Sequence, residues 1–141
     1  MAKIKGLHCI LLVDDDDPTN FIHRKVIKSC NIETHVESVS GGEEALEYLT
    51  STGHYSHNAE YPKPGIIFLD INMPGMDGWQ FLEDYHNLTE DKKAKIIVVM
   101  LTSSINLADK YRASANNDIT MFLTKPLTKE MVNMVVDNYF E

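Results

Sequence analysis

The chain has 141 residues, 43% of them apolar, which suits one domain with a real core and is too few for two domains of ordinary size. Its 13 lysines and arginines are scattered among 21 acidic residues, and the resulting charge of −8 excludes a basic nucleic-acid surface. No apolar run approaches the ~18 residues of a membrane span and no secretory signal follows Lys3 and Lys5, so a cytoplasmic protein with Cys9 and Cys30 as reduced thiols is expected.

Leu7 to Val13 reads as the first strand, with Ile10 to Val13 as its apolar centre, and it stops at Asp14-Asp15-Asp16-Asp17. Pro18 suits a helix start, and Phe21, Ile22, Val26 and Ile27 recur at helical spacing up to about Cys30. β-Branched residues at alternate places predict a short second strand over Thr34 to Val39. Ser40 and Glu43 have the spacing of a capping box, and Ala45, Leu46 and Leu49 then give a helix one apolar face. Residues 51–64 form one long polar connection; loops longer than ~12 residues are uncommon in compact domains and are often functional. His54 and His57 within it are three apart, and loop histidines of this kind read as solvated and not as zinc ligands. Tyr55 and Tyr61 suit either the sheet edge or a partner surface.

Ile66 to Leu69 is too short for a helix and reads as a buried strand ending in Asp70, after which Asn72, Pro74, Gly75 and Gly78 bend the chain. Trp79, Phe81, Leu82 and Tyr85 mark a third helix, Ile96 to Leu101 a fourth strand, and Leu107 to Ala115 a weaker fourth helix. Thr120 to Leu123 is a fifth strand, and Thr128 caps a last helix carrying Met131, Val132, Val135 and Val136. Five strands alternating with five helices predict an α/β domain whose parallel sheet is covered on both faces. One domain over 1–141 is expected, with its core at about 7–140 and no effector domain.

In a parallel sheet the strands end on one edge. That edge then gathers Asp14 and Asp15, Asp70, Thr102 and Ser103, and Lys125. Neighbouring carboxylates there need a counter-charge, and an oxygen-loving divalent cation such as Mg²⁺ suits two carboxylates with a main-chain carbonyl and waters. A lysine and a hydroxyl remain to receive a phosphoryl group, for which a carboxylate is a competent nucleophile. Each piece alone is commonplace, because an aspartate run is usually a solvated loop and Lys-Pro usually a turn. Their order along successive strand ends is what carries the chemistry.

With these residues in view the chain resembles the receiver domains of two-component response regulators. The matching segments are Leu11-Leu12-Val13-Asp14-Asp15-Asp16, the run from Phe68 to Gly78, Val98-Val99-Met100-Leu101-Thr102-Ser103 and Phe122-Leu123-Thr124-Lys125-Pro126. The resemblance implies a flavodoxin-like five-stranded parallel sheet of order 2-1-3-4-5. It implies that Asp70 takes phosphate from a histidine kinase or histidine phosphotransfer protein. Mg²⁺ would be held by Asp15, Asp70 and the Asn72 main-chain carbonyl, with Asp14 acting through water. Lys125 would contact the phosphoryl group, Thr102 would hydrogen-bond it, and Phe122 takes the place of the switch aromatic. Asn72 and Ser104, two positions past Asp70 and Thr102, would flank the water that ends the phosphorylated state. Output is expected through a downstream protein target or a homodimer.

Three rivals are weaker. A dinucleotide-binding domain needs glycines where this chain has four aspartates, which repel pyrophosphate. A Mg-dependent phosphatase of the haloacid-dehalogenase type resembles the chain in its nucleophile, but it carries a second aspartate where Asn72 stands. A non-phosphorylated interaction module has no need of the full set Asp14, Asp15, Asp70, Thr102 and Lys125.

Overall fold

The computed structural model describes residues 2–55, 61–89, 96–103 and 106–140. Its strands are β1 (Ala2–Lys3), β2 (Cys9–Val13), β3 (Ile32–Glu33), β4 (His35–Val39), β5 (Ile66–Asp70), β6 (Ile97–Thr102) and β7 (Met121–Thr124). The α-helices among the described residues are α1 (Asp17–Ser29), α2 (Gly42–Thr50), α3 (Gly78–His86), α4 (Leu107–Ser114) and α5 (Lys129–Tyr139). The main sheet has the order β4-β2-β5-β6-β7, every neighbouring pair parallel. Counting its five members alone, this is 2-1-3-4-5, as expected. β1 and β3 add a two-stranded parallel ribbon that two-residue strands cannot announce by periodicity. No described helix is long and apolar enough to cross a membrane.

The alternation of side chains along each strand divides the core in two. Leu11, Val13, Ile67, Leu69, Val98 and Met100 face α2, α3 and α4. Ile10, Leu12, Ile66, Phe68, Val99 and Leu101 face α1 and α5. β2 and β5 are buried along their whole length, which explains why they read as unbroken apolar runs. The chain leaves β2 toward β4 on one side, then returns to β5 on the other. The carboxyl ends of β2 and β5 thus flank the point where strand order reverses, the usual ligand crevice of an open parallel sheet.

Helix starts set the loops at that edge. Asp16 caps α1 by accepting the Thr19 N–H at 3.0 Å, with Pro18 in the first turn. Asp77 and Gln80 form a reciprocal capping box on α3, and Thr128 caps α5 by accepting the Met131 N–H. The reciprocal box expected between Ser40 and Glu43 does not form. Gly41 is the N-cap without a side-chain bond, and the Glu44 carboxylate accepts from both the Ser40 N–H and hydroxyl. The expected apolar face of α1 also needs correction. Ile27 is buried, but Phe21 and Ile22 are exposed and Asn20 and His23 take the inward positions.

Tyr55 and Tyr61 belong to the core and its margin. Their rings pack edge-on against each other and against Tyr48, and Tyr48 donates to the Pro62 carbonyl at 2.7 Å. The connection after α2 is thus pinned to the domain at both ends; His57 lies outside the described residues and His54 is described by its backbone alone. Cys9 is a free thiol, buried beside the Tyr48 hydroxyl, and burial pushes its pKa up to about 12; Cys30 is free as well. At the outer strand β4, Arg24 reaches across from α1, with Nη1 on the Val36 carbonyl at 2.6 Å and Nη2 on the Ser38 hydroxyl at 3.0 Å.

Candidate functional site

The carboxyl edge brings three aspartates together. One carboxylate oxygen each from Asp14, Asp15 and Asp70 lies within 4.8 Å of the other two, the sole such acidic or metal-ligating group among the described residues. Asp14 is fixed from every side. Its N–H donates to the Val39 carbonyl at 3.2 Å, its carbonyl accepts from Asn20 Nδ2 at 2.9 Å, and Oδ1 accepts from the Asp16 N–H at 3.0 Å. Asp15, next in the chain, is exposed and faces solvent.

Asp70 ends β5, and the loop after it is folded tightly back on it. The Gly78 N–H donates to the Ile71 carbonyl at 2.8 Å, and a Cβ at Gly78 would stand 2.6 Å from the Asp70 carbonyl oxygen. Glycine is therefore required there for close approach. Gly75 in the same loop has φ +74, the left-handed region that glycine occupies without strain. Buried Ile71 and Met73 anchor the loop, while Asn72 between them is exposed.

Lys125 comes from the turn after β7, whose main chain is tied to the neighbouring strand by the Lys125 N–H on the Thr102 carbonyl at 2.7 Å. Its Nζ lies 2.5 Å from Asp14 Oδ2 and 3.3 Å from Asp70 Oδ1. Burial disfavours the ammonium, but the hydrogen bond and charge of Asp14, with those of Asp70, outweigh it and raise the Lys125 pKa. For Asp70, burial and then the Asp14 charge push the pKa up, against the pull of Lys125. One ammonium is thus shared by two buried carboxylates with a third beside them. The donor set is all oxygen and the local charge is net negative, which fits a hard divalent cation with several waters.

The other expected residues are placed as follows. Thr102 is buried at the end of β6, beside β7. Phe122 on β7 pairs with Met100 on β6 and is half-buried against the core on the α2–α4 face. Ser104 lies outside the described residues. Two site neighbours escaped the sequence reading, Asn20 and His23. Their one signal was a pair of polar residues three apart, beginning three positions after the last aspartate of the run.

Comparison with known proteins points the same way. The family model described as the response regulator receiver domain matches residues 10–137. Response regulator Rcp1 of Synechocystis is 32% identical over 127 residues, covering 89% of this chain and 82% of that protein. The crystal structure of a two-component response regulator from Cytophaga hutchinsonii superposes with a TM-score of 0.82 at 32% identity, covering 98% of each chain. The crystal structure of the Mn²⁺-bound form of Rcp1 gives 0.74 at 28% identity, covering 94% of this chain and 91% of that one. Sequence, strand order and the acidic edge agree over the same residues, and the chain belongs to the response regulator receiver domain family, the signalling phosphoacceptors of two-component systems.

Proposed function

We propose that this receiver domain takes a phosphoryl group on Asp70 from the phosphohistidine of a histidine kinase or histidine phosphotransfer protein, and signals by altered protein binding. The observation that carries this reading is Lys125 Nζ poised between Asp14 and Asp70 at 2.5 and 3.3 Å, on the edge where three carboxylates converge. In the reaction an Asp70 carboxylate oxygen attacks phosphorus in line. The O–P bond forms as the P–N bond breaks, and the electron pair leaves with the donor imidazole, which takes up a proton. Lys125 then exchanges a carboxylate partner for a phosphoryl oxygen. The Thr102 hydroxyl donates to another through a charge-assisted hydrogen bond.

Asp15, Asp70 and the Asn72 main-chain carbonyl would hold Mg²⁺, with Asp14 acting through water. The cation supplies neutralisation of the phosphoryl oxygens. The Mn²⁺-bound Rcp1 supports a divalent ion in this family. Asn72 and Ser104 set how long the acyl phosphate survives by flanking the approaching water. The role is that of a phosphoacceptor, with no reaction on other substrates. A cytoplasmic setting accords with the two free thiols.

Output leaves through the face formed by α4, β7 and α5, toward a protein target or a second copy. Phe122 is half-buried there and turns inward once Thr102 is drawn to phosphate. Leu107 and Tyr111 on α4 are 71% and 74% exposed, which supports a surface kept for contact.

The test is phosphorylation by acetyl phosphate with Mg²⁺, read by intact mass. Wild type gains one phosphoryl group and Asp70→Asn gains none; stable labelling of Asp70→Asn overturns the assignment. In amide spectra with Mg²⁺ and beryllofluoride, which stands in for the phosphoryl group, shifts are expected at Phe122 and along α4. Shifts confined to the surroundings of Asp70 would refute the output face and leave the phosphoacceptor standing.

A further inference from the structure

α1 presents an unexpected face to the domain. Asn20 and His23 are 6% and 3% exposed, while Phe21 and Ile22 between them are 58% and 53% exposed. Turning two apolar side chains outward to bury two polar ones is unfavourable on both counts, so the polar pair must find its compensation inside. It does so in two bonds to two different loops of the phosphoacceptor site. Asn20 Nδ2 donates to the Asp14 carbonyl at 2.9 Å. Nearly one turn later His23 Nε2 accepts the Leu127 N–H at 3.2 Å, two residues beyond Lys125.

Those loops carry the Asp14–Lys125 pair, whose members are 111 positions apart in sequence. Residues three apart lie on one side of a helix, so a single rigid element grips both loops at a fixed spacing. The His23 bond requires a lone pair on Nε2, and burial, followed by the Lys125 charge, lowers the imidazole pKa against the pull of Asp14, in the direction that bond needs. Asn20, His23, Asp14, Asp70 and Lys125 also wall a cavity of about 10 Å³. Asn20 Oδ1, its orientation fixed by the bond to Asp14, is a buried acceptor without a protein partner, and a single water is the donor that such a space admits.

We propose that Asn20 and His23 are positioning residues: α1 is a jig that fixes the Asp14 loop against the Lys125 loop, so that a phosphoryl group arriving at Asp70 meets an ammonium already in place. This rests on the reading of Asp70 as phosphoacceptor. Rate in such a transfer depends on preset charge and alignment, and small displacements cost large factors. The jig explains why α1 tolerates an outward Phe21 and Ile22.

The test compares His23→Gln with His23→Met in the full chain. The two side chains are similar in length and both are good helix formers, but only Gln offers an acceptor near the place of Nε2. With saturating Mg²⁺, the maximal rate of Asp70 phosphorylation and the half-saturating acetyl phosphate concentration are measured separately, beside the thermal midpoint and Mg²⁺ affinity. His23→Met is expected to lower the maximal rate about 10-fold while Mg²⁺ affinity holds, and His23→Gln to recover most of it. Asn20→Leu is expected to lower the rate similarly. A folded His23→Met with a wild-type rate, or equal losses in Met and Gln, overturns the proposal. Should His23→Met unfold below the assay temperature, Asn20→Leu decides alone, and a wild-type rate there overturns it. A wild type that takes no phosphate, or an Asp70→Asn that does, defeats the underlying reading instead.

Discussion

Asp70 is held where its own charge is unwelcome. Burial and the neighbouring Asp14 raise its pKa above that of an unfolded aspartate, and Lys125 offsets this only in part. For a group whose folded pKa is raised, stability is fully present below the unfolded value and is lost as pH rises through the folded one. The ionised carboxylate therefore weighs against the metal-free fold at neutral pH. Asp70→Asn, which keeps the shape and removes the charge, should raise the thermal midpoint of chelator-treated protein by about 2–4 °C at pH 7.5. The advantage should shrink as pH falls through the Asp70 pKa, in melts followed by circular dichroism. Lys125 makes the opposite case. Lys125→Met leaves Asp14 and Asp70 buried without their cation, at a cost of about 3 kcal/mol in metal-free protein. Because the ammonium no longer competes for those oxygens, Mg²⁺ should bind more tightly to Lys125→Met than to wild type in a calorimetric titration.

Among the elements, the loop from Asp70 to α3 fixes the proposed acceptor, Asp70, most directly. A Cβ at Gly78 would lie 2.6 Å from the Asp70 carbonyl oxygen and 3.0 Å from Ile71 Cα, both backbone atoms that cannot swing aside. Gly78→Ala should therefore cost about 1–3 kcal/mol in denaturant melts and slow phosphorylation, because the acceptor strand end must move. Helix α1 shows the converse. Phe21→Ser should leave stability within about 0.5 kcal/mol, whereas Ile27→Ala, on the buried stripe, should cost about 2–5 kcal/mol. Periodicity alone ranks Phe21 with Ile27, and here it misleads. The rotation of α1 is decided by Asn20 and His23 bonding to loops that a window along the chain does not join.

The same distinction separates what could be read from sequence elsewhere. The five main strands and the residues at their ends were legible because burial, turn chemistry and alternation are local. The two-residue ribbon of β1 and β3 has no period to detect, and Ser40 bonds Glu44 instead of boxing with Glu43 because two adjacent glycines leave the start of α2 undecided by spacing. Of the site, the four charged members were legible as types at strand ends. That one ammonium serves two of the carboxylates follows only from the register of β2, β5, β6 and β7.

For the molecule as a whole, a chain of charge −8 with three convergent carboxylates should gain stability from divalent cations by mass action. At 100-fold above its dissociation constant, Mg²⁺ should add about 2.7 kcal/mol to unfolding, an effect that Na⁺ at equal ionic strength does not reproduce and that Asp15→Asn largely removes. Arg24, on α1 beside the edge strand β4, serves the molecule differently. β4 is an outermost strand, and the His35 N–H and Val39 carbonyl point inward to the β2 side, so the Val36 carbonyl looks outward. An unmet outward carbonyl invites a strand from another chain, and repeated pairing of that kind builds aggregates. With its guanidinium on Val36 and Ser38, Arg24 occupies the first hydrogen-bonding position that such a strand would need, and so closes this edge of the sheet to strand addition there.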